Sequence, residues 1–123
     1  MVIVFKGKYY TSSNLKGGTK SGGRSITKRT QIEGASADLI YLSTVFHGFS
    51  KDEIDGFQKE VKRLLKPNAV LAIVEIKKEE TPFGPPLDIK FSPDELKETI
   101  TLKPKSLVEV GEYFYMMTFE NIT

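Results

Sequence analysis

Two hydrophobic rhythms divide this chain. From residue 38 onward, apolar residues come either in short unbroken runs or at helical spacing, with clear stop signals between them. Asp38-Leu39-Ile40-Tyr41-Leu42 is nearly continuous, the pattern of a strand in a sheet covered on both faces. Ser50-Lys51-Asp52-Glu53 opens a helix with a capping box, and Ile54, Phe57, Val61, Leu64 and Leu65 recur at helical spacing behind it. Lys62, Arg63 and Lys66 suit the negative end of that helix, and Pro67 stops it. Val70-Leu71-Ala72-Ile73-Val74 predicts a second buried strand, and Pro82-Phe83-Gly84-Pro85-Pro86 an irregular connection. Ser92-Pro93-Asp94-Glu95 starts a short second helix carrying Leu96 and Ile100, which Pro104 ends at the latest. Residues 107–110 and 113–119 predict an antiparallel hairpin turning at Gly111-Glu112, with Tyr113, Tyr115 and Met117 on one face and Phe114, Met116 and Phe119 toward the other.

Residues 1–34 follow neither rhythm. Residues 2–5 are β-prone, but residues 11–30 are rich in glycine, serine and threonine and hold only two aliphatic side chains, Leu15 and Ile26. Such a stretch buries too little apolar surface to offset its ordering entropy, which predicts a loop or flexible arm. The chain thus divides into a basic Gly/Ser-rich segment, 1–34, and a folded domain, 35–123. Its predicted order is strand, helix, strand, helix, strand, strand. The first two strands are joined by a helix and so are expected to run parallel. The expected fold class is α/β, a small open mixed sheet of four strands, or five if residues 2–5 join it, with helices packed on it.

Charge sharpens the division. The net charge of +2 conceals seven basic and no acidic residues in the first 30, whereas all 16 acidic residues lie from Glu33 onward against eleven basic ones. A basic arm with Tyr9 and Tyr10 has the ingredients for phosphate and base contacts. A solvated, disordered terminus is the expected reading, and nucleic acid is not the expected partner. The chain has no cysteine, which excludes disulfides, thiol catalysis and thiolate metal sites and fits a reducing, cytoplasmic setting. With one histidine, no self-contained zinc site is expected. No apolar run is long enough to cross a membrane. Gly17-Gly18-Thr19-Lys20-Ser21 superficially suggests a phosphate loop, but Thr19 separates lysine from glycine and Gly22-Gly23 would break the helix that must follow.

The chemistry-bearing residues cluster at strand ends. His47 lies just past the C-terminal end of the first core strand, the edge at which open α/β sheets bind ligands. Its unperturbed titration range suits a general base. Glu75 lies at the equivalent end of the next strand, where it either lines the same cleft or pairs with Lys77 or Lys78.

The order and spacing of these residues resemble the C-terminal half of a class I S-adenosylmethionine-dependent methyltransferase, nearest the ubiquinone/menaquinone-biosynthesis-like group. Asp38-Leu39-Ile40-Tyr41 resembles the family's fourth strand, and Val61-Lys62-Arg63-Leu64-Leu65-Lys66-Pro67 its following helix end. Ser92-Pro93-Asp94-Glu95-Leu96 and Gly111-Glu112-Tyr113-Phe114-Tyr115 resemble its last helix and closing strands. The resemblance implies a partial Rossmann-like fold, S-adenosylmethionine as cofactor, a small-molecule methyl acceptor, Ser43 and Thr44 facing the cofactor, and His47 in a catalytic position.

The sequence departs from that family where the cofactor is held. No early glycine follows a strand with an acid at its end, and the acid that would bind the ribose has no counterpart. The expectation is a methyltransferase-like domain that is inactive alone. Two alternatives stay open: a non-catalytic oligomerising α/β module left by truncation, or one subunit of a split enzyme. A central strand at 38–43 without its usual neighbour would expose an edge. Residues 2–5 folding back, a homodimer, or a complementing N-terminal half would each cover it, and dimerisation with the amino-terminal strand taking part is the favoured expectation.

Overall fold

The computed structural model describes residues 2–6, 9–11 and 24–122. The glycine-rich run from Gly17 to Gly23, read above against a phosphate loop, lies outside the described residues.

The elements are β1 (Val2–Lys6), β2 (Tyr9–Thr11), β3 (Ala37–Ser43), α1 (Lys51–Leu64), β4 (Leu65–Ile76), α2 (Pro93–Thr99), β5 (Lys103–Val110) and β6 (Phe114–Glu120). One six-stranded sheet forms in the order β2-β1-β3-β4-β6-β5. β3 and β4 are parallel with α1 between them, and β6 is antiparallel to both β4 and β5. The α/β class and mixed open sheet read from the sequence therefore hold, with one more strand than expected.

Both helices start where their sequences say they should. At Ser50 and at Ser92 the side chain accepts from the N3 backbone N–H, and Glu53 or Glu95 returns the bond to the cap backbone. α1 ends at Leu64, two residues before Lys66, because proline disfavours helical geometry in the residue before it. The chain then passes directly into β4. Pro104 does not precede β5 but lies within it, tolerated because β5 is an edge strand whose ladder is irregular between Pro104 and Ser106. Gly111 turns the closing hairpin at φ 74°.

The core lies between the sheet and the helices. Phe57, Val61 and Leu64 of α1 and Leu96 of α2 join Val4, Ile40, Leu42, Leu71, Ile73 and Phe119 in one buried cluster. Each such side chain contributes about 1.5–3 kcal/mol by leaving water. Phe119 is buried with Tyr115 and Met117, not on the side of Phe114 and Met116, as strict two-residue alternation requires.

Two sequence expectations are corrected. First, residues 24–34 are not a free arm. Ile26 is fully buried, and Thr27, Thr30 and Ile32 are buried around it. Composition concealed this because the segment docks largely through polar groups. Glu60 on α1 accepts from Thr30 N–H at 2.8 Å and from Thr30 Oγ1 at 2.6 Å. Arg63 Nε and Nη2 donate to the same carboxylate at 2.8 and 2.7 Å, and Nη2 also reaches Ile32 O at 2.9 Å. Burial alone would push the Glu60 carboxyl up, but the bonds from Arg63 and Thr30, with the Arg63 charge, outweigh it and hold it below the usual carboxylate range. Gly56 permits the approach, since a Cβ there would stand 1.9 Å from Thr27 O.

Second, the edge of β3 is not bare. β1 pairs with it antiparallel, Val2 opposite Leu42 and Phe5 opposite Leu39. β1 supplies Val2 and Val4 to the core, which is why a five-residue strand holds this position. Of the coverings expected, the fold-back of residues 2–5 is the one present in this chain.

Candidate functional site

β3 and β4 run parallel and end together, Ser43 opposite Val74. Thr44 turns the chain away from β3. It adopts φ 56°, a left-handed conformation that a β-branched residue enters only with strain of about 1–3 kcal/mol. Its N–H donates to Val74 O at 2.8 Å and its Oγ1 to Ser43 O at 2.7 Å, which hold the turn in place.

A 3-10 turn, Phe46–Gly48, follows and carries His47. Phe46 is fully buried and meets Phe49, Phe57 and Phe91 edge-on at centroid distances of 5.7, 5.9 and 5.0 Å. The residues on either side of this turn are therefore anchored in the core, so the imidazole between them has a fixed origin.

His47 Nδ1 lies 2.9 Å from Glu75 Oε1, and the His47 backbone N–H donates to Oε2 at 3.3 Å. The Glu75 side chain is 0% exposed and that of His47 is 19% exposed. Glu75 therefore does not line a cleft, nor does it pair with Lys77 or Lys78, which bond to Glu109 and Glu95. It lies beneath His47, and a carboxylate there favours a proton on Nδ1, leaving Nε2 as the acceptor. Tyr115 is opposite Glu75 across β4 and β6, and its hydroxyl donates to Phe91 O. Burial, then the charges of Glu75 and Glu95, push the Tyr115 phenol far above its ordinary value, so it stays protonated.

A cavity of about 440 Å³ opens at this edge. Thr44 and His47 form its polar side, and Ile76, Phe83, Pro85 and Phe114 its apolar walls. Phe83 packs against Tyr113 and Phe114 at 5.2 and 6.1 Å. Gly84, at φ 95°, lies so close to Ile76 that a Cβ would stand 2.7 Å from its Cδ1. The structure thus brings Thr44 and His47 together at one cavity, with Glu75 behind them. Ser43 precedes the turn and supplies a carbonyl to it rather than a wall. The wall from the proline-rich loop was missed, because a run that predicts irregular backbone carries no sign of where it folds.

The chain matches the methyltransferase domain family over residues 20–73. A search among curated proteins finds no match. Among solved structures it is similar to an S-adenosylmethionine-dependent methyltransferase from Aquifex aeolicus, at 29% identity and TM-score 0.70, covering 78% of this chain and 52% of that one. It is also similar to a putative type 11 methyltransferase from Sulfolobus solfataricus, at 24% identity and TM-score 0.69, covering 76% and 54%. The chain therefore spans about half the length of these relatives. The family match begins at residue 20, ahead of the docked segment around Ile26. Sequence, strand order and structural likeness agree on an α/β domain with a methyltransferase-like fold, similar to these S-adenosylmethionine-dependent methyltransferases over the part of their length that it spans.

Proposed function

We propose that this domain retains the substrate-side pocket of a methyltransferase but does not hold the methyl donor by itself. The observation that carries this reading is the direction of β1. In open α/β sheets of this kind, the cofactor lies outside the C-terminal ends of parallel strands, against a Gly-rich turn and a helix N-terminus. Here the neighbour of β3 is antiparallel, so the beginning of β1, at Val2, stands beside Leu42 at that edge. Among the described residues, neither an acid nor a Gly-rich turn stands beside β3 there. Glu75 is the acid that comes near, and His47 engages it. These residues do not fit S-adenosylmethionine.

The His47–Glu75 pair suits proton acceptance from a small molecule in the pocket, with Glu75 stabilising the imidazolium that results. A complementing half that added a parallel strand to β3 would first have to displace β1. That requirement favours a non-catalytic α/β module over a split enzyme. A cytoplasmic setting, expected from the lack of cysteine, belongs to the same reading.

Calorimetry of the full chain with S-adenosylmethionine and with S-adenosylhomocysteine tests it. The expected result is no saturable heat. Saturable binding at micromolar affinity would overturn it.

A further inference from the structure

We propose that β5 is a self-association edge, at which two copies of this chain pair antiparallel around Leu107. Among the described residues β5 is the last strand of the sheet, and β6 is its one ladder partner. Leu107, Val108 and Val110 are 54%, 48% and 43% exposed, and no other element carries as many of the exposed large hydrophobic residues. They occupy both faces. Leu107 is opposite the buried Met117, whereas Val108 and Val110 are opposite Met116 and Phe114. An open edge with apolar side chains on both faces is a template for another strand.

The charges along β5 select the occupant. Lys103 and Lys105 precede Leu107 and Glu109 follows it. This pattern is self-complementary only when a second copy runs antiparallel. With Leu107 opposite Leu107, Lys105 of each copy meets Glu109 of the other, whereas a parallel copy would set lysine beside lysine. The Glu109 side chain is 81% exposed, and Lys77, 3.3 Å away, leaves its outer side open. The ladder steps from Pro104 to Ser106 and leaves Lys105 without a partner in β6; this irregularity and the turn at Gly111 limit the new pairing to residues 105–109. Such a two-fold contact closes on itself and leaves no growing edge at β5.

Sedimentation of the full chain from micromolar to sub-millimolar concentration tests the proposal. The wild type is expected to show a reversible dimer. Lys105→Glu and Glu109→Lys each place like charges opposite one another twice, and each is expected to weaken the dimer about tenfold or more. In an equimolar mixture of the two variants, a heterodimer again sets a carboxylate opposite an ammonium at both charged positions. The mixture is therefore expected to recover wild-type association. Both positions are exposed, and circular dichroism checks that the variants fold. A monomeric wild type, a dimer indifferent to both substitutions, or a mixture that fails to recover would each overturn the proposal.

Discussion

Replacing Gly56 by alanine separates two opposed effects within one side chain. Gly56 lies inside α1, where alanine is favoured over glycine by about 1 kcal/mol. If residues 24–34 were a free arm, Gly56→Ala would stabilise the protein by that amount. In this structure the added Cβ would stand 1.9 Å from Thr27 O and 3.0 Å from Thr27 C, both backbone atoms that no rotamer change can move. The docked segment must lift, which strains the contacts of Ile26 and the bonds from Thr30 to Glu60. Overpacking of this kind is destabilising by about 1–3 kcal/mol, and loosening the Glu60 bonds adds about 1–2 more. Net of the propensity gain, the expected change is a loss of about 2 kcal/mol. With a urea slope of about 1–3 kcal/mol per molar, the unfolding midpoint falls by about 1 M. A midpoint that rises, at unchanged slope, would refute the docking of residues 24–34 on α1.

Three further outcomes are expected. The Glu60 carboxyl titrates lower in the folded protein than unfolded, so its contribution is present above about pH 4.3 and is lost as pH falls through the folded value; melting temperatures from pH 6 to 3 should drop more steeply for the wild type than for Glu60→Gln. Arg63→Ala leaves that buried carboxylate without its cation and should lower stability by about 2–4 kcal/mol in urea melts, and an unchanged midpoint would contradict the network. Ser92→Ala removes the side-chain half of the α2 capping box and should lower stability by about 1 kcal/mol, with a loss below a few tenths counting against the cap geometry.

Much of the fold was legible because local signals agreed with the tertiary outcome. Ser50 with Glu53 and Ser92 with Glu95 marked both helix starts, and the runs at 39–42 and 70–74 marked the parallel pair. What stayed hidden depends on contacts distant in sequence. Thr27 and Thr30 read as linker residues because Thr27 packs against Gly56 and Thr30 bonds to Glu60, both about 30 residues further along the chain. Glu75 read as a cleft or surface carboxylate because its partner, His47, is 28 residues away across a parallel pair. Which of three coverings the edge of β3 takes was not legible, because β1 is five residues long and its antiparallel direction goes with the burial of Val2 and Val4, not with any turn signal. His47 was singled out by its position past a strand end and Thr44 by the family resemblance, whereas Phe83 and Pro85 reach the same cavity through a loop with no periodicity.

On the proposed reading, an antiparallel β1 occupies the edge where the methyl donor would be held, and nuclear magnetic resonance tests this directly. Cross-strand contacts between Ile3 and Tyr41 and between Val4 and Ile40 are expected, unchanged on addition of S-adenosylhomocysteine, with the Ser43 and Thr44 amides unmoved. Saturable shifts at Ser43 and Thr44, or loss of the β1–β3 contacts when the ligand is added, would contradict it.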